Sequence, residues 1–198
     1  MAIQQMNVRI SGIDYLLQNN PQSVDPFNEY RKAMKAITNK RLKTEDDLIE
    51  LGNIEVESKL YFSDELGVYV PSRWLSEAIC TACYAIVKVA KKKARGGVFI
   101  AEHEIKLHYD NENLVKGISD IVKNKVFRHR AILKQGEIRV TKDFPIFKNW
   151  WFETVIEYDD SVIDFGSLKS VIERTSMYGG FGDFRPTFGR AKAEVINV

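Results

Sequence analysis

The chain has 198 residues, 44% hydrophobic and 28% charged, with a formal net charge of +2. That is enough for one domain with a sizeable core, or for two small units sharing one. No apolar run is long enough to span a bilayer, MAIQQMNVRISG lacks the charged and apolar regions of an export signal, and Cys80 and Cys83 alone make no disulfide framework.

In chain order, NVRISGIDYLL (7–17) alternates and carries β-branched residues, which predicts a first strand. Phe27, Tyr30, Met34 and Ile37 recur at helical spacing over 27–40. Thr44 followed by three acids signals a helix start, and Gly52 weakens the helix beyond it. KLYFSDELGVYVP reads as a hairpin turning over Ser63–Gly67. Pro71 and Ser72 then open the clearest helix, with Ser72 as N-cap and Leu75, Ile79, Cys83, Ile86 and Ala90 on one face. Its lysines fall in a last turn, where the macrodipole favours cations. Residues 98–110 alternate as a strand, and 126–144 hold two strand-like pieces about the turn KQGE. In NWWFETVIEYDD, Trp151, Glu153, Val155 and Glu157 share one face, and Trp150, Phe152, Thr154, Ile156 and Tyr158 the other. A helix over 164–177 turns Leu168, Val171, Ile172 and Thr175 inward, and RAKAEVINV closes the chain as a strand. The class is α+β, in one domain over 1–198 with an excursion at 98–145. Residues 150–158 and 190–197 are predicted as adjacent strands of one antiparallel sheet, bridged by the 164–177 helix.

Charge is distributed unevenly. Residues 44–57 hold six acids and no base, whereas Lys88, Lys91, Lys92, Lys93 and Arg95 have no acid among them. Lys123, Lys125, Arg128, Arg130, Lys134, Arg139 and Lys142 face only Glu137 in their stretch. Local charge of this kind attracts polyanions, although a lysine run is also an ordinary solvated helix end. Cys80 and Cys83 lie inside an amphipathic helix without two further ligands, so they read as core residues, and no metal site is expected. His103 and His108 point to opposite faces of a strand. His129, between Arg128 and Arg130, reads as a phosphate contact or a bystander.

The carboxyl end, YGGFGDFRPTFGRAKAEV, places glycines, arginines and phenylalanines between a helix and a last strand. Glycine lets backbone amides approach a phosphate or base. Arg185 and Arg190 offer planar forks for phosphate, and Phe181, Phe184 and Phe188 offer stacking faces. The same loop also suits a tight helix-to-strand connection with the phenylalanines packed beneath it. Gly180–Phe181–Gly182 and Gly189 resemble the carboxyl-terminal glycine-rich loop of the RAMP superfamily, the RRM-like subunits of CRISPR effector complexes and their RNA-processing enzymes. Thr187 stands where that pattern has a further glycine. GVYVPSRWLSEAI (67–79) is similar to the strand–Pro–Ser–helix junction of backbone-type members, without their glycine after proline. The ending also resembles small phage-encoded proteins.

The resemblance implies a ferredoxin-like antiparallel sheet with packed helices. It implies a cytoplasmic, non-enzymatic binder of RNA or single-stranded DNA in a bacterial, archaeal or phage-infected cell. No cofactor and no membrane are expected; further copies of the chain or effector-complex subunits are the expected protein partners. Lys88, Lys91, Lys92, Lys93, Arg95, Lys125, Arg128, Arg130, Gly180, Gly182, Arg185 and Arg190 are the expected contacts. The alternatives are a metal-independent endoribonuclease using His129, or an assembly protein without a nucleic-acid role. Some relatives cut RNA with an aspartate after the first strand, a neighbourhood that here holds Asp14 and Asp25; loop aspartates are also common turn residues.

Overall fold

A computed structural model describes residues 3–196. In chain order the elements are β1 (Ile3–Gly12), β2 (Leu16–Leu17), α1 (Glu29–Thr38), α2 (Glu45–Lys59), β3 (Phe62–Ser63), β4 (Gly67–Pro71), α3 (Ser72–Val87) and α4 (Lys91–Gly97). There follow β5 (Val98–Ile100), β6 (Glu104–Lys106), α5 (Ile118–Lys123), β7 (Arg128–Gln135), β8 (Ile138–Phe147), β9 (Trp151–Asp159), α6 (Phe165–Arg174) and β10 (Ala191–Val195). A π-helical turn, Thr175–Gly179, continues α6. The last residues of the predicted closing strand lie outside the described residues.

The chain forms two compact units, one of residues 1–16, 68–110 and 148–198, the other of 17–67 and 111–147. The first is built on an antiparallel sheet of order β10-β1-β9-β5. Alternation makes one face of it apolar: Met6, Val8 and Ile10 of β1 are buried and stand opposite Ile156, Thr154 and Phe152 of β9. The helices α3 and α6 pack together in this unit, burying Leu75, Ile79 and Cys83 from one and Leu168, Val171 and Ile172 from the other. Asp164 caps α6 by accepting from the Ser167 amide at 3.0 Å. The strands β9 and β10 share the sheet but are not neighbours, because β1 lies between them and pairs antiparallel with both. A helical crossover returns the chain parallel to its starting strand, and that leaves room for one antiparallel strand in the gap. The same holds for β1 and β5, which flank β9.

In the second unit β7 and β8 form a long hairpin in register from Arg128↔Pro145 to Gln135↔Ile138. The helix α2 packs on β8 over a core that includes Val56, Phe127, Phe144 and Phe147. It opens with a reciprocal capping box between Thr44 and Asp47 and runs straight through Gly52. A Cβ there would lie 2.5 Å from the Asp143 carboxylate and 3.2 Å from the Arg128 guanidinium. The glycine is therefore a close-approach point inside the helix rather than its end.

Candidate nucleic-acid interface

The basic residues fall into three settings. In the first unit α3 stops at Lys88, which takes the left-handed conformation (φ 62°) and donates its amide to the Tyr84 carbonyl. The lysines Lys91, Lys92 and Lys93 therefore begin α4 instead of ending α3. A helix start disfavours cations, and Glu77 of α3 offsets this. It pairs with Lys91, and with the Arg95 guanidinium at 2.7 Å. Lys91 and Arg95 together hold the Glu77 carboxyl at about 2. Lys92 and Lys93 remain exposed, and Lys88 lies 5.5 Å from the Tyr84 ring.

In the second unit Arg128 and Arg130 turn to the same carboxylate. Arg130 grips Asp143 with two bonds, of 2.8 and 2.9 Å, and Arg128 lies 3.6 Å from it. Arg128 also donates to Asn53 and to the Val122 carbonyl. Asp143 is almost fully buried; its amide donates to Glu55, which in turn pairs with Lys142. Fork-shaped bidentate pairing of this kind satisfies a buried carboxylate. It also occupies the two arginines that the sequence offers to phosphate. Lys125 is exposed.

The glycine loop is the third setting. Gly180, Gly182 and Gly189 all have positive φ (70°, 76° and 80°). The Phe181 amide donates to the Gly189 carbonyl at 2.9 Å, and the Gly189 amide to the Tyr15 carbonyl at 2.8 Å. A Cβ on Gly189 would come within 1.8 Å of the Phe181 carbonyl oxygen, so this glycine is demanded by the loop's own closure. Phe181 points inward, 1% exposed, edge-on to Trp150 and Phe152 at 6.3 and 5.9 Å. It is a packing residue rather than a stacking face. Phe184 and Phe188 are half-buried and meet edge-on at 6.3 Å. Arg190 pairs with Asp14 at 2.6 Å. Arg185 is exposed and makes no ion pair or hydrogen bond among the described residues.

The other chemical candidates sort as follows. Cys80 and Cys83 are free and buried, and burial pushes the Cys83 thiol up to about 11, as core cysteines behave. Asp25 accepts from the Phe27 amide at 2.9 Å in a local turn. His129 lies on β7 of the second unit, opposite Phe144, and the loop glycines belong to the first unit. On the outward face of the first unit's sheet, Arg9 lies 3.9 Å over the Trp151 ring, and His108 stacks on the same ring at 4.0 Å. Sequence reasoning passed over this trio, although the outward parity of Arg9 and Trp151 on their strands was readable.

No family model and no curated protein matches the sequence. Among solved structures, the chain is similar to one in the cryo-EM structure of the Type III-B Cmr-beta bound to cognate target RNA. The TM-score is 0.51 at 12% identity, over 98% of this chain and 61% of that one. This chain thus spans about three fifths of its neighbour's length, and the likeness is one of fold.

Proposed function

We propose that the chain is a non-catalytic binder of RNA or single-stranded nucleic acid with a ferredoxin-like, RAMP-like fold. The second unit, on this reading, is an elaboration carried by two excursions from the first. The strand order β10-β1-β9-β5, with α3 and α6 as crossovers, supports it, because numbering those strands by appearance gives 4-1-3-2, the order of a βαββαβ unit. The single observation that carries the binding role is Arg185, an exposed guanidinium without an ion pair or hydrogen bond among the described residues, held at the rim of a loop closed by positive-φ glycines. Backbone phosphates suit such a cation, and its contribution would be blind to sequence. That the Cmr-beta structure contains bound target RNA points the same way. Lys92 and Lys93 add charge in the same unit. The non-catalytic reading rests on Asp14 and Asp25, whose carboxylates are engaged by Arg190 and by a turn amide.

The test is a gel shift with single-stranded RNA, single-stranded DNA and duplex, repeated across salt, with the RNA checked for cleavage. Retarded, intact single strands are expected. No retardation at low salt would defeat the reading, and metal-free cleavage lost in His129→Ala would replace it with the nuclease.

A further inference from the structure

A groove of about 820 Å³ lies within the first unit, against α3 and the α6 end that leads into the glycine loop. Its volume falls in the range of small-ligand sites, roughly 300–1,000 Å³. Its chemistry is specific. Arg73 and Trp74 come from the first turn of α3, Arg174 from the end of α6, Thr175 and Tyr178 from the π-helical turn that continues it, and Arg185 from the loop. The one acid lining it, Glu77, is paired with Lys91 and Arg95. Arg174 and Arg185 are exposed and have no ion pair among the described residues. Tyr178 is 73% exposed for so large a ring. Thr175 is only 8% exposed, yet its hydroxyl has no hydrogen-bond partner among the described residues. A buried hydroxyl without a partner is costly.

We infer that this groove binds a nucleoside phosphomonoester, free or as the phosphorylated end of a strand. The inference deepens the strand-binding reading of the neighbouring loop, and for the strand-end source it rests on that reading. A terminal phosphate carries up to two charges where an internal diester carries one. Planar guanidinium forks match such a group, and the exposed Tyr178 ring offers a face for a base. An acidic peptide would meet the arginines but leave the tyrosine without a matching flat partner.

The test is calorimetric titration of the full chain with each of the four common ribonucleoside 5′-monophosphates, with adenosine and with inorganic phosphate. At least one monophosphate should bind at one per chain, and adenosine and phosphate about tenfold or more weakly. Arg174→Gln and Tyr178→Ala should each weaken it about tenfold, the effect of losing one charge-assisted contact or one stacking face, with melting unchanged. An oligoribonucleotide with a 5′-phosphate should outcompete its 5′-hydroxyl twin if the source is a strand end; equal competition assigns the site to free nucleotide. Absence of monophosphate binding overturns the inference, as does equal binding of phosphate alone, indifference to Arg174→Gln, or binding of polyglutamate in place of the nucleotides. Strand binding without monophosphate binding rejects this inference alone; monophosphate binding without strand binding rejects the proposed function alone.

Discussion

Two arginine-bearing regions of this molecule look alike in sequence and differ in structure. Arg128 and Arg130 on β7 are bound to Asp143, whose carboxylate lies against Gly52 of α2. Arg185, beside the glycine loop, touches no acid among the described residues, and there the glycines hold the structure together. In the hairpin the cations are part of the fold; in the loop the fold is made by backbone and a cation is left over. A basic run therefore says little about polyanion binding until the acids that reach it are located: Asp143 reaches Arg128 and Arg130 from the facing strand of the hairpin, and Glu55 reaches Lys142 from α2.

The largest effect should come from the loop's backbone. Gly189→Ala combines φ 80° with a Cβ 1.8 Å from the Phe181 carbonyl oxygen, and should destabilise the first unit by about 4 kcal/mol, at the severe end for a point change. Denaturant unfolding measures it; a loss under about 1 kcal/mol would mean that the loop is not built on this glycine. Next is Asp143→Asn, which leaves Arg128 and Arg130 without their carboxylate. A loss of about 3 kcal/mol is expected, as for breaking a buried pair, with no change in strand binding. Weakened strand binding in a variant that melts normally would blur the contrast between the two regions.

A smaller effect lies at α4. The Glu77 carboxyl is held at about 2 by Lys91 and Arg95, below its ordinary value of 4.5. A depressed carboxyl stabilises the fold above the unfolded value and loses that contribution as pH falls through the folded one. The melting temperature should therefore fall between about pH 4.5 and 2, and Glu77→Gln should flatten that part of the profile. Since the pair is exposed, the change is small; an unaltered profile in Glu77→Gln would show that the pair contributes nothing.

Local periodicity made much of the first unit legible. The two faces of β9 and the inward residues of α6 follow from spacing alone, and so does the start of α3, although Pro71 rather than Ser72 takes the N-cap position and no side chain caps the helix. Three features did not. The lysine run reads as the end of α3, but Lys88 turns left-handed and the same lysines open a new helix, with Glu77 of α3 paired across the turn to Lys91 and Arg95. The position of β1 between β9 and β10 is a matter of sheet order, which sequence proximity does not encode. The split into two units depends on the two excursions, 17–67 and 111–147, packing together. At the site, the glycine positions were legible as backbone demands. The inward turn of Phe181 stood in the sequence only as one of two readings, and the pairing of Arg190 with Asp14 did not show, because both depend on partners far along the chain: Trp150, Phe152 and Asp14.

The most direct measurement is the salt dependence of single-stranded RNA affinity for the native chain, Arg185→Ala and Arg130→Ala. Arg185→Ala should weaken binding to all sequences alike and lower the log–log slope by roughly 0.7, one phosphate contact on a single strand. Arg130→Ala should leave the slope unchanged, because its guanidinium is committed to Asp143. Arg185 is the cleaner probe than Gly182, where φ 76° makes any side chain a strain of its own. An Arg185→Ala protein with native affinity and native slope would contradict the account and leave the glycine loop as a structural connection.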